Sequence, residues 1–279
     1  MIGLGAMGGG MARRLLVCDS VDEVAGFDLN SEVVIKFYNE AKELGKATSL
    51  LSKILSIDHF VDTSTDIVLI VLVNEAQCQS ICFENNGNNL KGLMRSGTTV
   101  IVSSTVTPAW SRQAAEKFGK KGIQFLDCPV SGGPVRALSG EITIMASGDA
   151  DVLESVDPLF QSMGKEIHII TGGAGMGSTV KMVHQLLAGV HIAVAAEALA
   201  LAAKAGLDVK QLYEIVKGAA GASWMFCDRG QRMIDYTGGN PEQEKVKSAL
   251  AIFVKDMDIV YSSAKELRCR SIFEIYKKG

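Results

Sequence analysis

The chain has 279 residues, a formal net charge of −3 and 21% charged residues, length enough to bury one large core or two ordinary ones. Neither the charge nor its distribution gives the basic footprint of a nucleic-acid or anionic-membrane binder. No run of about 18 apolar residues is free of polar interruption, so no membrane partner is expected. The cysteines at positions 18, 78, 82, 128, 227 and 269 are scattered. Cys78 and Cys82 lack a second pair to complete a zinc site, and no metal is expected. With no cleavable signal ahead of the first glycines, the thiols read as reduced, mostly buried and cytoplasmic.

In chain order, Gly3, Gly5 and Gly8 form G-x-G-x-x-G, followed by a run with Met11, Ala12, Leu15 and Leu16 that predicts a helix. In a dinucleotide site the first glycine makes a tight turn, the second lets backbone approach a pyrophosphate and the third lets helix pack on strand. The helix N-terminus then holds phosphate charge. Residues 24–27 predict a second strand ending at Asp28, near the distance of roughly twenty residues expected of a carboxylate on the adenosine ribose. Such a carboxylate accepts from the 2′-hydroxyl of NAD and repels the 2′-phosphate of NADP, and Leu29, Asn30 and Ser31 supply no arginine to reverse that preference.

Residues 49–55 are assigned a short helix. Residues 67–73 and 99–103 are continuous apolar strands of the buried parallel type; residues 123–126 and 141–146 add two more. Asp151 is expected to cap a helix carrying Leu153, Val156, Leu159, Phe160 and Met163. Between these strands lies Asp127-Cys128-Pro129-Val130-Ser131-Gly132-Gly133-Pro134. Its Ser131, Gly132 and Gly133 place consecutive N–H groups beside a hydroxyl, which suits a carboxylate ligand, although a Gly-Pro turn between strands is the plain alternative.

Beyond residue 171 the pattern is helical only. A helix over residues 178–205 would be ~42 Å long at 1.5 Å per residue, enough to link two domains. It opens after alternating glycines and carries Lys181, whose next charged neighbour downstream is Glu197. A lysine among apolar residues either snorkels to water or sits in a cleft where desolvation makes it a usable base. Residues 248–267 form an amphipathic stripe of Leu250, Phe253, Val254, Met257, Val260, Ala264 and Leu267, with Lys255 off it as a solvated-face residue.

Three of these stretches together resemble the β-hydroxyacid dehydrogenase family over nearly the whole chain: IGLGAMGGGMA, DCPVSGG, and the lysine after GAGMGST. The resemblance implies an α/β Rossmann-type dinucleotide-binding domain, residues 1–170, followed by an all-α C-terminal domain, residues 171–279, joined by a long interdomain helix. It implies NAD as cofactor, held by Gly3, Leu4, Gly5, Ala6, Met7, Gly8, Asp28, Leu72, Val73 and Thr105, with Lys255 at the nicotinamide end. It implies a small hydroxy acid held by Ser131, Gly132, Gly133 and His184, Lys181 as the base, and a homo-oligomer, dimer or tetramer, assembled through the helical domain.

Most of the family follows the lysine with K-x-x-N, whereas this chain has Lys181-Met182-Val183-His184. The threonate-type branch shares that histidine, as it does the stretches SST at 103–105, SWMF at 223–226 and IFVKDM at 252–257, which favours a polyhydroxylated acid. Oxidation of 3-hydroxyisobutyrate and reduction of tartronate semialdehyde or glyoxylate are the alternatives within the family. Only Met1 and Ile2 precede Gly3, and the chain stops at residue 279 where the family continues, so both ends look clipped. A dinucleotide-fold module that binds partners without catalysis is therefore a second reading, disfavoured by the intact Lys181 and DCPVSGG. A 6-phosphogluconate dehydrogenase is disfavoured by the lack of cations for the phosphate and the small helical domain.

Overall fold

A computed structural model describes residues 1–44, 64–84, 89–236 and 250–269. The helix expected over residues 49–55 lies outside the described residues. The chain divides into two compact units, Met1–Met182 and Val183–Gly279.

The first unit is built on parallel strands β1 (Ile67–Ile70), β2 (Thr99–Val102) and β3 (Gln124–Asp127), hydrogen-bonded in that order. Ile2 forms parallel bridges to both Ile70 and Phe27, which extends the row on the β1 side. The short N-terminal segment therefore occupies a central strand position: Ile2 N–H donates to Leu69 O, Val71 N–H to Ile2 O, Phe27 N–H to Met1 O and Gly3 N–H to Phe27 O. The side chains alternate between two cores. Leu69, Ile101 and Leu126 face one with Met11, Leu15, Val34 and Phe37. Val68, Ile70, Val100, Val102 and Phe125 face the other with Trp110 and Phe118. A sheet covered on both faces needs strands apolar at every position, which is why the runs at 67–73 and 99–103 do not alternate. The regular strands end sooner than those runs, at Ile70 and Val102, because the chain then turns outward into loops.

Helices fill both faces. On the chain order they are α1 (Gly8–Leu16), α2 (Ser31–Glu43), α3 (Glu75–Phe83), the single turn α4 (Leu90–Leu93) and α5 (Pro108–Gly119). Their starts are legible chemistry: Asn30, Asn74 and Thr107 accept from N–H groups of the first turn, and Pro108 takes a position whose N–H has no intrahelical acceptor. A second sheet joins β4 (Val130–Ser131), β5 (Ile142–Ala146) and β6 (Gly164–Ile169), with α6 (Gly133–Ser139) between β4 and β5. A Cβ on Gly10 of α1 would lie within 3.0 Å of the Ala137 and Leu138 backbone and of the Ala137 side chain, so α1 and α6 touch with almost nothing between them.

The expected helix after β5 differs in two respects. Asp149, not Asp151, is its cap, accepting from Asp151 N–H and Val152 N–H. The helix also breaks at Val156 into α7 (Ala150–Ser155) and α8 (Asp157–Met163), because Pro158 in the first turn of α8 cannot supply an N–H to the preceding turn.

The 29-residue α9 (Met176–Lys204) is long and apolar enough to cross a membrane by length and composition, which the expectation of no such segment did not foresee. Ala188, Ala195, Leu199 and Ala202 along it are buried in the fold. In the second unit α9 is followed by α10 (Val209–Lys217), α11 (Trp224–Asp235) and α12 (Leu250–Glu266). Ala195, Leu199, Tyr213 and Phe226 make its core, and the Tyr213 hydroxyl donates to Cys227 O at 2.7 Å. On α12 the buried face is Asp256, Ile259, Val260 and Ser263, whereas Val254 and Leu267 of the expected stripe are exposed. The carboxylate in the middle of that face meets two side chains, a hydrogen bond from Gln185 and an ion pair with Lys255.

Candidate functional site

Of the residues expected to hold the cofactor, those of the first unit, Gly3 to Gly8, Asp28, Leu72, Val73 and Thr105, lie toward the C-terminal ends of the parallel strands, where open α/β sheets bind ligands. Gly3 has φ +88°, and a Cβ there would overlap Val71 O; a Cβ on Gly8 would overlap Gly3 O. Gly5 is the opposite case, exposed and with nothing within 4 Å of where a Cβ would stand. The loop thus bares backbone at Gly5 on the approach to the N-terminus of α1, and this opening fits a pyrophosphate. Asp28 Oδ2 accepts from Leu4 N–H at 2.8 Å and its Oδ1 from Asn30 N–H at 2.9 Å, which ties the glycine loop to the end of the second strand position. Ala6 and Met7 complete the loop, exposed and half-buried.

Across the row, Leu72 N–H donates to Ser104 Oγ at 2.7 Å, Val73 N–H to Gln77 Oε1 at 3.0 Å, and Thr107 N–H to Glu75 Oε2 at 2.7 Å. These bonds pin the segments after β1 and β2, so half-buried Leu72, exposed Val73 and half-buried Thr105 line the same end of the sheet.

Ser131 ends β4, paired with Thr143, and Gly132 and Gly133 follow with φ +136° and +77°. Side chains rarely adopt that region. Gly133 has open space where a Cβ would be, whereas one on Gly132 would press on Arg136. Cys128, in the same motif, is buried, and burial followed by the Asp127 charge pushes its thiol well above the usual range. A thiol shifted that way is a weaker nucleophile than an exposed one.

Lys181 lies on α9, 6% exposed, which fits a lysine enclosed by protein better than one lying along the surface. What holds its helix is a group the sequence reading passed over. Asp127, at the end of β3 and fully buried, accepts from Gly175 N–H at 3.0 Å and Ser178 N–H at 2.8 Å through Oδ2, and from the Ser178 hydroxyl at 2.7 Å through Oδ1. Ser147, at the end of β5, accepts from Gly177 N–H at 2.9 Å and donates its hydroxyl to Asp127 O at 3.3 Å. N–H groups at the start of α9 that lack helical acceptors are thus clamped to two strand ends, one turn before Lys181. Burial raises the Asp127 carboxyl above its ordinary value, against the lowering effect of the bonds from Ser178 and Gly175. An acidic residue closing an apolar strand, with Ser178 in a glycine-rich helix start, was the available signal.

In the second unit, His184 and Lys255 belong to one chain of polar contacts. His184 Nδ1 is 2.9 Å from Gln185 Oε1, Gln185 Nε2 donates to Asp256 Oδ2, and Lys255 Nζ is 2.7 Å from Asp256 Oδ1. Lys255 is 24% exposed and Asp256 2%, so Lys255 is not the solvated-face residue its position off the stripe indicates. Its stem is long enough to fold back on the next residue of the helix. Gln185 and Asp256 were both missed; an acid inside an amphipathic stripe was the sign of a buried partner.

The comparisons with known proteins agree with this geometry. Residues 1–173 match the NAD-binding domain of 6-phosphogluconate dehydrogenase, and residues 175–274 the NAD-binding domain of NADP-dependent 3-hydroxyisobutyrate dehydrogenase. The chain is 39% identical over 269 residues to an L-threonate dehydrogenase of Haemophilus influenzae, covering 96% of this chain and 82% of the relative. It is 32% identical to 2-hydroxy-3-oxopropionate reductase of Escherichia coli K12, covering 95% and 84%. Among solved structures it resembles a 3-hydroxyisobutyrate dehydrogenase from Salmonella typhimurium with a TM-score of 0.81 and 38% identity, covering 97% of this chain and 88% of that one. With a doubly covered parallel sheet, a glycine loop at its carboxyl end and a helical second unit, the chain belongs to the β-hydroxyacid dehydrogenases, enzymes that oxidise hydroxy acids with an NAD-type cofactor.

Proposed function

We propose that the enzyme oxidises L-threonate at C2 to the 2-oxo acid, with Lys181 as general base. The observation that carries the reading is Lys181 itself: a buried lysine one turn into a helix whose start is clamped, three residues before a histidine. Gly3, Leu4, Gly5, Ala6, Met7 and Gly8 hold the pyrophosphate, and Asp28 accepts from the adenosine ribose and disfavours the extra phosphate of NADP. Leu72, Val73 and Thr105 flank the cofactor at the strand ends, and Lys255 serves its nicotinamide end. The cofactor supplies a hydride acceptor at C4. Ser131, Gly132 and Gly133 take the substrate carboxylate. The Lys181 amine removes the hydroxyl proton as the C2 hydrogen leaves with its electron pair. His184 pairs with a hydroxyl beyond C2. Residues 1–170 serve as the cofactor domain and 171–279 as the substrate and assembly domain.

The test compares L-threonate with 3-hydroxyisobutyrate under NAD and under NADP. L-threonate should have the higher kcat/KM by roughly tenfold to a hundredfold, since a buried polar group left without its partner costs about 1 to 3 kcal/mol. Equal values for the two acids would reject threonate, and equal use of the two cofactors would reject the role of Asp28. Lys181→Met should lower kcat by at least about 10² with the NAD dissociation constant little changed.

A homo-oligomer is supported by α9, whose Val183, Leu187, Val194 and Leu201 form one stripe at helical spacing and are 49%, 54%, 55% and 70% exposed. A second copy covers this stripe in a cytoplasmic enzyme. Light scattering that returns a monomer mass would reject the assembly.

A further inference from the structure

We infer that Asp256 and Gln185 are positioning residues which hold the His184 ring in one orientation with its proton on Nδ1. The chain of polarity starts at the carboxylate. Asp256 is buried, and an ionised carboxylate only accepts hydrogen bonds. Lys255 Nζ occupies Oδ1 at 2.7 Å, and Oδ2 must receive a proton from Gln185. That forces the amide nitrogen of Gln185 toward Asp256 and its carbonyl oxygen toward His184. An amide oxygen cannot donate, so the proton between Gln185 Oε1 and His184 Nδ1, 2.9 Å apart, belongs to the imidazole.

A neutral imidazole free in water favours the proton on Nε2. Here the buried pair opposes that preference, because Gln185 Oε1 can only accept from Nδ1. The two oxygens of Asp256 therefore divide their work, one setting the donor sense of His184 through Gln185 and the other holding the ammonium of Lys255. Resting as it does on the proposed contact between His184 and substrate, the inference names the residues that fix how the ring is presented to that contact.

Two measurements separate this inference from the reading beneath it. In the full chain labelled with ¹⁵N-histidine, long-range ¹H–¹⁵N correlation reports which ring nitrogen carries the proton, and His184→Asn identifies the signal. The expected wild-type pattern is Nδ1–H, moving toward Nε2–H in Gln185→Met, which preserves shape without polar atoms. An Nε2–H pattern in the wild type overturns the inference, whatever the kinetics, and needs no variant to fold. In parallel, Gln185→Met should narrow the kcat/KM preference for L-threonate over 3-hydroxyisobutyrate by about tenfold. An Nδ1–H ring that responds to Gln185→Met while the preference stands unmoved upholds the tautomer relay and removes His184 from the substrate.

Discussion

Asp127 and Asp256 are both buried carboxylates, one tied to the start of the helix that carries Lys181 and the other paired with Lys255, and their partners differ in kind. Asp127 has neutral donors, the N–H groups and hydroxyl at the start of α9 together with Ser147. Asp256 has a cation, Lys255, and one amide. Neutral donors fixed in backbone hold a charge through geometry and cannot move away from it. A lysine holds a charge through a flexible stem and, being 24% exposed, can turn to water when released. The difference predicts that Asp127 governs the fold of the helix bearing Lys181, and that Asp256 governs the arrangement of side chains more than the stability of the unit.

The largest effect should come from Asp127→Ala. It strands Gly175 N–H, Ser178 N–H and the Ser178 hydroxyl in a buried place, and at about 1 to 3 kcal/mol per orphaned group the cost should exceed about 3 kcal/mol in urea unfolding. A loss below about 1 kcal/mol would mean that water replaces the carboxylate and that the clamp does not bear on stability.

Asp256→Ala should be milder, about 1 to 2 kcal/mol, because Lys255 reaches solvent and only the Gln185 amide is orphaned. Its mark should fall on kinetics instead, with kcat/KM for the hydroxy acid falling more than the unfolding free energy does. A loss of stability larger than that of Asp127→Ala would break the comparison.

The smallest and most specific effect is one of pH. Burial raises the Asp127 carboxyl above the 3.8 of an ordinary aspartate, so in the window just above pH 3.8 the folded state keeps a proton that the unfolded chain has lost. Folding stability therefore falls as pH rises through that window and levels off above the raised value. Asp127→Asn has no proton to lose. The difference in unfolding free energy between wild type and this variant should shift against the wild type as pH rises, and a difference constant with pH would show that burial does not perturb the group.

Much of the first unit was legible because its chemistry is local. The glycine triplet dictates a turn, Asn30, Asn74 and Thr107 dictate helix starts, and strands 67–70 and 99–102 betray themselves by apolar continuity. The misplaced cap at Asp151 shows the limit, since Asp149 and Asp151 are equivalent by propensity and only the position of the first helical N–H groups chooses between them. Of the proposed site, single residues such as Asp28, Ser131, Lys181 and His184 could be named in advance through the resemblance. Their supports could not, because Asp127 meets Ser178 fifty-one residues on and Gln185 meets Asp256 seventy-one residues on. A polar residue inside an apolar pattern signals that a partner exists without saying which. Lys255 was misjudged by pattern alone for the same reason: helical spacing describes where a Cβ points, and a lysine ends several bonds away.

The bare backbone at Gly10 has a consequence for how such an enzyme can change. Helices α1 and α6 carry, at their starts, the glycine loop and the loop proposed to take the carboxylate, and they abut with Gly10 against Ala137 and Leu138. With no side chain between them to act as a compliant washer, displacement of one loop is transmitted to the other. On the proposed roles of the two loops, cofactor grip and acid grip are geared together, so substitutions that reshape residues 131–133 for a new acid should register as altered NAD affinity before they register as a new preference.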